Sequence, residues 1–292
     1  MNREAIESYR APIDGMRSLR IPGRLRRLKL PLPADPPSDG PPAACFLCHP
    51  ERDRFDLGPC PRAGGGQHVV GNAHPFAARA LLVAPAGEAH HLATPATLEP
   101  ARLAEWLEWP GSGAFSAAFE LAPGATAAFV NVGRGAAQSR RHPHLQVVSF
   151  DAAAGALLED DPTEIADDLA SAEVEGRQLA LQDGVRVVVP KRPSQTAELW
   201  LPLPAQGSEP DAWQRAAHAL ATVCRAAERS ISGNYNLVWR TAAPPLLRIV
   251  PRGLSERAGL ELAAPALLAG VVAVSVRESF LLWAAALEAA PS

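Results

Sequence analysis

Lysine and aromatic side chains are scarce in this sequence, and no apolar run is long. Lys29 and Lys191 are the only lysines among 28 basic residues, and aromatic side chains make up 5% of the chain. We attach no functional meaning to the preference for arginine, because such a bias more often reflects genome composition than mechanism. The formal net charge of −3 gives no overall attraction to nucleic acid or to an acidic membrane, so we expect neither as a partner.

The longest nearly apolar segment is interrupted too often to span a membrane. It covers residues 260–276 and contains Glu261, Pro265 and Gly270, whereas a spanning helix needs roughly 18 uninterrupted apolar residues. The N-terminus lacks the basic and then apolar layout of a signal peptide. Four cysteines in 292 residues do not make a disulfide framework. We therefore expect a cytoplasmic protein whose thiols are reduced and free to bind metal.

Composition divides the chain into four segments. Residues 1–44 are rich in arginine and proline, which predicts an extended basic arm that is either solvated or faces phosphate. With 47% apolar residues the chain can bury a real core, and two folded units are predicted over residues 45–150 and 184–292. Residues 151–183 are acidic and alanine-rich, which indicates a linker with some helix.

The two folded units repeat one order of predicted elements. Hydrophobic periodicity predicts a strand, a helix and two strands in each unit. In the first unit they cover residues 80–84, 99–107, 127–131 and 145–150, and in the second 185–189, 211–230, 236–240 and 246–250. A proline, Pro85 or Pro190, ends the first strand of each unit. This repetition indicates an internal duplication.

A polar stripe in the first unit carries the strongest chemical pattern. Because side chains alternate along a strand, His142, His144 and Gln146 share one face while the apolar residues between them point into the core. A pair of surface histidines is the alternative interpretation of His-x-His alone. The glutamine at the same period, and the glycine loop before the histidines, favour an active site.

The glycine loop upstream of the stripe is suited to bind phosphate. Gly133 and Gly135 allow backbone N–H groups to converge on one point, which predicts an anion nest beside the histidines. Ser139 adds a hydroxyl donor, and three arginines nearby add positive charge. Together these residues indicate a phosphate site.

A pair of cysteines before the loop predicts a metal site. Cys45 and Cys48 are three residues apart, so both thiolates can bind one tetrahedral metal ion, most often zinc. A redox pair or two buried cysteines are the alternatives. A zinc site needs two more ligands, for which His90, His91 and His142 are the best placed. Residues nearby that compete for this role are Cys60, His49, His68 and His74.

These residues resemble the signature of galactose-1-phosphate uridylyltransferases, in the transferase branch of the histidine-triad superfamily. The likeness spans roughly residues 45–280. It rests on the spacing of Asn131, Ser139 and His142-Pro-His144-x-Gln146, on Cys45-x-x-Cys48, and on Gly71-Asn72-Ala73-His74-Pro75-Phe76. The resemblance implies an α+β fold of two tandem duplicated half-domains, each a mostly antiparallel sheet with packed helices.

The resemblance implies a role for each residue of the stripe. His144 would attack the α-phosphorus of a nucleoside diphosphate sugar and form a nucleotidyl-histidine, which a sugar 1-phosphate then discharges. Its other ring nitrogen would donate to a backbone carbonyl and so fix the tautomer. Gln146 would bind the phosphoryl oxygens. Because glutamine cannot do the acid–base work of the third histidine that hydrolases carry there, transfer is favoured over hydrolysis.

The resemblance also implies substrate contacts and a metal. Asn72 would contact the nucleoside and Asn131 and Ser139 the phosphates, with Gly133 in the anion nest. Glu261 would contact a sugar hydroxyl, although an exposed glutamate is an equal alternative. The ligands of one structural zinc ion per chain, with no open position, would be Cys45, Cys48, His142 and His90, with His91 as the alternative to His90.

Two departures from the family pattern broaden the expected function. Leu145 stands where the uridylyltransferases usually have glycine, and leucine there is more like the diadenosine tetraphosphate phosphorylases. Residues 246–248 of the second half replace the family's metal-binding His-x-His, so no second metal is expected. The alternatives are a nucleotide phosphorylase of the ADP-sugar or diadenosine tetraphosphate type and a catalytically inactive nucleotide-binding protein. The family's usual state implies a homodimer.

Overall fold

A computed structural model describes most of the chain. The described residues are 7–10, 17–20, 41–60, 66–73, 77–122, 126–136, 138, 140–150, 162–191, 193, 197–240, 244–252 and 276–290. Two predicted substrate contacts, Ser139 and Glu261, and one candidate metal ligand, His74, lie outside them. The predicted N-terminal arm is described mainly at a short antiparallel hairpin of two strands.

Within the described residues, ten strands form one antiparallel sheet and two more form the separate N-terminal hairpin. The strands are β1 (Glu7–Arg10), β2 (Arg17–Arg20), β3 (Asp56–Pro59), β4 (Gln67–Gly71), β5 (Arg79–Pro85), β6 (Thr126–Val132), β7 (Leu145–Ser149), β8 (Gln178–Ala180), β9 (Arg186–Val188), β10 (Leu199–Pro202), β11 (Tyr235–Arg240) and β12 (Leu246–Pro251). The order across the sheet is β3-β4-β5-β7-β6-β11-β12-β10-β9-β8. The predicted α+β class with a mostly antiparallel sheet is confirmed.

The α-helices described are α1 (Pro100–Glu108), α2 (Gly113–Ala118), α3 (Pro162–Ser171), α4 (Pro210–Ala226) and α5 (Val276–Glu288). The predicted helix over 211–230 is α4, which continues as a π-helical turn, Ala227–Ile231. Both α1 and α4 begin with a proline after an N-cap glutamate, a position where the missing proline N–H costs no hydrogen bond. None of the described helices is long and apolar enough to cross a membrane.

The order of the strands is symmetric about the central β6–β11 pair. Outward from β6 the first half runs β7, β5, β4 and β3, and outward from β11 the second half runs β12, β10, β9 and β8. Helix α1 lies between β5 and β6 in the chain, as α4 lies between β10 and β11. The duplication predicted from the repeated elements is therefore visible in the topology, and the two halves share a single sheet.

One predicted correspondence between the halves is wrong. The sequence pattern equates the strand that ends at Pro85 with the one before Pro190, which is β9. In the sheet the counterpart of β5 is β10, because each of them pairs with the last strand of its half. The sequence pattern does not predict β10, since its four residues are too few to show a period. Residues 151–183, expected to be a linker, contain α3 and the edge strand β8.

Helices α1, α2, α4 and α5 cover one face of the sheet. Alternate residues of the central strands, such as Val130, Leu145 and Leu237, pack with Trp106 of α1 and Leu220 of α4 in the main core. The intervening residues therefore point to the opposite face. The apolar residues between the members of the polar stripe, Leu145 and Val147, lie in the core as predicted.

The opposite face is covered at both ends. In the first half, Cys45, Leu47 and Cys48 pack on Val70 of β4 and Leu82 of β5. In the second half, apolar residues of α3 and its following turn cover β9, β10 and β12: the cluster contains Ile165, Ala172, Val188, Trp200 and Leu246. Between these two covers lie β7, β6 and β11. One end of this strip carries a third apolar cluster with Val148 and Phe129, and the other end, called the polar strip below, carries Gln146, Asn131 and Asn236.

We predict that the core beneath the β6–β11 pair supports both halves. Leu237 is 0% exposed on β11, so Leu237→Ala should cost about 3 kcal/mol of unfolding free energy through lost burial and a cavity. Leu281→Ala makes the same change on α5 at a side chain that is 55% exposed and should change stability little. Urea unfolding of both variants measures the difference, and equal losses would contradict the core position of Leu237.

Candidate active site and metal centre

Two cysteines and two histidines converge at the edge of the polar strip. One ligand atom from each of Cys45, Cys48, His91 and His142 lies within 4.8 Å of the others. The Sγ atom of Cys48 is 3.4 Å from Nδ1 of His91 and 3.4 Å from Nδ1 of His142, and Sγ of Cys45 is 3.9 Å from Nδ1 of His142. Ligand bonds of 2.0–2.3 Å around tetrahedral zinc separate the ligand atoms by about 3.5 Å. The set therefore fits a zinc ion with four protein ligands.

The cluster contains His91 and not His90, which corrects the preferred assignment of the fourth ligand. His90 ends a 3-10 turn, Glu88–His90, and His91 follows it with an extended backbone. The start of this loop is tied to the cysteine segment because the N–H of Gly87 donates to the carbonyl of Cys48 at 3.0 Å. In this conformation the ring of His91, the residue after the turn, points to Cys48.

Local structure fixes the orientation of the ligands. The N–H of Cys48 donates to the carbonyl of Cys45 at 3.0 Å, so one tight turn brings both thiols to the same side. Nε2 of His142 is 2.8 Å from the carbonyl oxygen of Pro85, and it must donate there because a carbonyl only accepts. Its Nδ1 is thereby the unprotonated nitrogen, which can bind metal.

Burial favours the neutral forms of His142 and Cys48. It lowers the pKa of His142 to about 4 and raises the pKa of the Cys48 thiol to about 12. Cys45 and Cys48 are free thiols, so the structure does not contain the disulfide of an oxidised redox pair. A bound zinc ion would displace the thiol protons and compensate the buried charge.

The other candidate ligands lie elsewhere. Cys60 is buried in the main core, and His49 and His68 interact with Glu88 and Asp56 respectively. The core packing of Cys60 and the ion pairs of His49 and His68 place these three side chains outside the cluster.

His144 directly precedes β7 and is 5% exposed. Its Nδ1 is 2.7 Å from the carbonyl oxygen of His142, so Nδ1 carries the proton in the neutral ring and Nε2 carries a lone pair. Burial lowers the pKa of His144 below its usual range, which keeps the ring neutral near pH 7. The predicted hydrogen bond to a backbone carbonyl is present, whereas the nucleophilic role stays a prediction.

Gln146 and Asn131 lie on the same face as His144. In the β6–β7 ladder Gln146 is opposite Phe129, and continuing this register by two residues sets His144 level with Asn131. Both Gln146 and Asn131 are half-buried. The structure thus brings together three of the residues predicted to handle the phosphoryl group.

A hydrogen-bonded chain from the second half reaches Asn131. Asn236 lies opposite Asn131 in the β6–β11 ladder, and its Nδ2 donates to Oδ1 of Asn131 at 2.7 Å and to the carbonyl of Ala136 at 3.1 Å. Nε of Arg252 donates to Oδ1 of Asn236 at 2.5 Å. Because a backbone carbonyl only accepts and an arginine only donates, both side-chain amides have one consistent orientation.

The consequence for Asn131 is that its oxygen accepts from Asn236, which fixes the orientation of the amide and leaves its NH₂ group as the donor side. The sequence pattern did not identify Asn236 or Arg252, since their proximity to Asn131 depends on strand pairing between the halves. The repeated elements were the signal that could have found them, because they predict a strand in the second half that is equivalent to the strand of Asn131.

The glycine loop differs from the predicted anion nest. The N–H of Gly133 donates to Oε1 of Gln138 at 2.7 Å, and the N–H of Gly135 donates to Oδ1 of Asn234 at 2.9 Å. These two N–H groups therefore have intramolecular acceptors, and the role of Gly133 in phosphate binding stays a prediction. Gly133 has φ +78°, and a Cβ atom there would lie 2.8 Å from the carbonyl of Gly233. Glycine is thus needed for close packing of the two halves.

Asn72 stands apart from this group. It directly follows β4, two strands from β7, and its N–H donates to the carbonyl of Ala80 at 2.8 Å. Its predicted contact with a nucleoside stays a prediction. The three arginines expected to add positive charge, Arg134, Arg140 and Arg141, are all exposed.

Comparisons with known proteins identify the fold. No family model matches the sequence, and no curated protein matches it. An ADP-glucose phosphorylase from Arabidopsis thaliana, solved with bound ADP-glucose, superimposes with a TM-score of 0.60 at 15% identity over 96% of this chain and 98% of that chain. A galt-like protein from Arabidopsis thaliana gives 0.59 at 13% identity, over 82% and 91% of the two chains.

A uridylyltransferase gives a TM-score of 0.55 at 16% identity, over 82% of this chain and 93% of that chain. At this level of identity the likeness shows the fold, so the chain has the fold of these three structures, as the sequence resemblance implied.

We predict that zinc content distinguishes the two neighbouring histidines. His91→Ala removes a ligand atom that lies 3.4 Å from Cys48 and should lower bound zinc well below one ion per chain, as should Cys45→Ser. His90→Ala is the matched control and should retain zinc. Atomic emission spectroscopy of the purified variants measures this, and loss of zinc in His90→Ala alone would reverse the assignment.

Proposed function

We propose that the protein is a nucleotidyltransferase that moves a nucleoside monophosphate from a nucleoside diphosphate sugar to a sugar 1-phosphate through a covalent nucleotidyl-His144. The observation that supports this most is the state of the His144 ring. Its Nδ1 proton is held by the carbonyl of His142 at 2.7 Å, and its pKa is lowered by burial. An unprotonated Nε2 is what nucleophilic attack on phosphorus requires.

The reaction is two displacements at one phosphorus atom. In the first, a bond forms from Nε2 of His144 to the α-phosphorus while the phosphorus–oxygen bond to the sugar phosphate breaks, and the sugar 1-phosphate leaves with the electron pair. In the second, a phosphate oxygen of the acceptor attacks the same phosphorus and the nitrogen–phosphorus bond breaks. The His142 carbonyl stabilises the positive charge on the ring while the covalent bond exists.

Two amides near His144 support the binding of the phosphoryl oxygens. The NH₂ group of Asn131 is oriented by Asn236, and Gln146 lies on the same face of the adjoining strand. Amide donors bind the negative oxygens without transferring a proton. This supports transfer to a second phosphate over general-acid-assisted hydrolysis, because no acid is supplied by Gln146.

Zinc would be held by Cys45, Cys48, His91 and His142, and its chemistry would be structural, since four protein ligands leave no position for substrate. Its effect on the reaction would be indirect. Fixing His142 fixes the carbonyl that His144 uses, because the ligand and the carbonyl belong to one residue.

A phosphorylase is the second candidate, with inorganic phosphate in place of the sugar phosphate. Leu145 favours it, because uridylyltransferases usually have glycine there. It is also consistent with the likeness of fold to the ADP-glucose phosphorylase, which aligns along nearly the whole length of both chains. The covalent first step is common to both candidates, so the donor can be identified before the acceptor.

We predict a covalent adduct when the protein is mixed with a donor and no acceptor. Intact-mass spectrometry after separate incubation with UDP-glucose, UDP-galactose, ADP-glucose and diadenosine tetraphosphate should show a gain of one nucleoside monophosphate with the true donor. The adduct should be lost in acid and survive in base, as a bond from phosphorus to nitrogen does. The mass of the adduct names the base.

The controls assign the adduct to one ring. His144→Ala should abolish it, whereas His218→Ala changes an exposed histidine on α4 and should leave it intact. If folded, zinc-loaded protein binds nucleotides but forms no adduct with any donor, the covalent mechanism is wrong and the chain is a nucleotide-binding protein.

A further inference from the structure

The beginning of β11 is hydrogen-bonded to the first half at three points beside the candidate site. Oδ1 of Asn234 accepts from the N–H of Gly135 at 2.9 Å. Nδ2 of Asn236 donates to Oδ1 of Asn131 at 2.7 Å and to the carbonyl of Ala136 at 3.1 Å. The second half therefore helps to fix the geometry of residues that lie close to His144.

Asn236 has no donor left for a substrate. Its side chain is 9% exposed, and the two hydrogens of its NH₂ group are accepted by Asn131 and Ala136. Its oxygen accepts from Nε of Arg252 at 2.5 Å. A side-chain amide has only these two hydrogens to donate, so any effect of Asn236 on a phosphate must pass through the residues that it holds.

The orientation of the Asn236 amide is determined by Arg252. An arginine side chain only donates, so the oxygen of Asn236 must face Arg252 and its NH₂ group must face Asn131. The backbone of Arg252 is held by the same turn of the chain. Its N–H donates to the carbonyl of Asn234 at 2.7 Å, and its carbonyl accepts from the hydroxyl of Ser232.

Asn131 lies between Asn236 and His144. Strand β6 separates β7 from β11, and Asn131 is opposite Asn236 in the β6–β11 ladder. At the usual strand spacing the backbone of Asn236 is about 10 Å from that of His144. Because the oxygen of Asn131 points to Asn236, its NH₂ group is directed away from β11, and β7 lies on that other side of β6.

We propose that Asn236 is a positioning residue for nucleotidyl transfer, which holds the Asn131 amide with its NH₂ group as the side presented to the phosphoryl group. This inference rests on the proposed function, in which amide donors bind the phosphoryl oxygens. These oxygens are negative, so an Asn131 amide turned the other way would present its own oxygen to them and oppose the transition state.

The first test is the rate of adduct formation in Asn236→Leu. Leucine has nearly the shape of asparagine, removes both donors and adds no charge, so the amide of Asn131 loses the partner that orients it. The rate at a saturating concentration of the donor that forms the adduct should fall by about tenfold or more, as when a preorganised donor is lost. Time-resolved intact-mass spectrometry measures this rate.

A double-mutant cycle determines whether the effect passes through Asn131. The rate is measured in Asn131→Ala, in Asn236→Leu and in the double variant. If Asn236 acts through Asn131, the change to leucine should slow the reaction no further once Asn131 is alanine. The same fractional slowing in both backgrounds would show an independent, structural role of Asn236 and would overturn the proposal.

The matched control is Gln206→Leu, which makes the same chemical change at another amide that joins the halves. Nε2 of the exposed Gln206 donates to the carbonyl of Glu108 at 3.2 Å, on the helix side of the sheet. The control should react at the rate of the unaltered protein. Equal slowing in Gln206→Leu would overturn the positioning role, because any loosened contact between the halves would then suffice.

A second substitution keeps the test valid if leucine is not tolerated at this buried position. Asn236→Ser is smaller, and its single hydroxyl hydrogen cannot bond both Asn131 and Ala136. Its rate should lie between those of the unaltered protein and Asn131→Ala, and thermal melting identifies which variants are folded. A folded Asn236→Ser that reacts as fast as the unaltered protein would contradict the proposal.

Failure of the positioning role can be distinguished from failure of the proposed function. If no donor forms an adduct with the unaltered protein, the covalent mechanism is wrong, and the same cycle is measured on the dissociation constants of the four donors by titration calorimetry. A loss of affinity in Asn236→Leu that disappears in the Asn131→Ala background supports positioning. Unchanged affinity, or no binding of any of the four donors, would overturn it.

Discussion

The antiparallel pairing of β6 with β11 is the constraint on which both the core and the site depend. It joins residues 128–132 of the first half to residues 235–239 of the second in one ladder. Without it each half would expose a strand edge, which natural sheets avoid. On the helix side the pairing aligns Val130 with Leu237 in the core, and on the other side it aligns Asn131 with Asn236.

A second constraint lies in three consecutive residues, His142-Pro143-His144. The His142 side chain is held between the carbonyl of Pro85 and the thiol of Cys48, and its own carbonyl accepts the proton of His144. His142 therefore links the cysteine–histidine cluster to the ring of His144, whose Nε2 atom is proposed to react. The tautomer of His144 would be less well defined if that carbonyl were free to move, because either nitrogen could then carry the proton.

Much of this arrangement could be predicted from the sequence, and the remainder depends on tertiary register. The alternation around Leu145 predicts which side chains enter the core, because a strand has a fixed period of two. The sequence could not decide between His90 and His91 as the metal ligand, because a loop has no such period. A shift of the turn by one residue would exchange the positions of the two rings. Nor could Asn236 be linked to Asn131, since their contact depends on pairing between segments 105 positions apart.

The glycine loop shows that one local property can have two causes. The sequence pattern predicts that Gly133 frees backbone N–H groups for a ligand, and the φ angle of Gly133 is indeed positive. The reason for it is the approach of the second half, where Gly233 and Asn234 leave no room for a Cβ atom. Sequence alone cannot distinguish these causes, because both require the same residue.

The two halves carry different side chains at or beside their equivalent strands, His144 directly before β7 and Arg248 on β12. A buried histidine loses its charge readily, so His144 can offer a lone pair to phosphorus near pH 7. An arginine remains protonated even when burial lowers its pKa, so Arg248 and Arg252 cannot act as nucleophiles or pass protons. What such a side chain can do is hold a negative group in a fixed place, as Arg248 does with the buried carboxylate of Glu198. The two halves thus differ in chemistry because equivalent strands carry different residues, a buried neutral histidine in one half and an ion-paired arginine in the other.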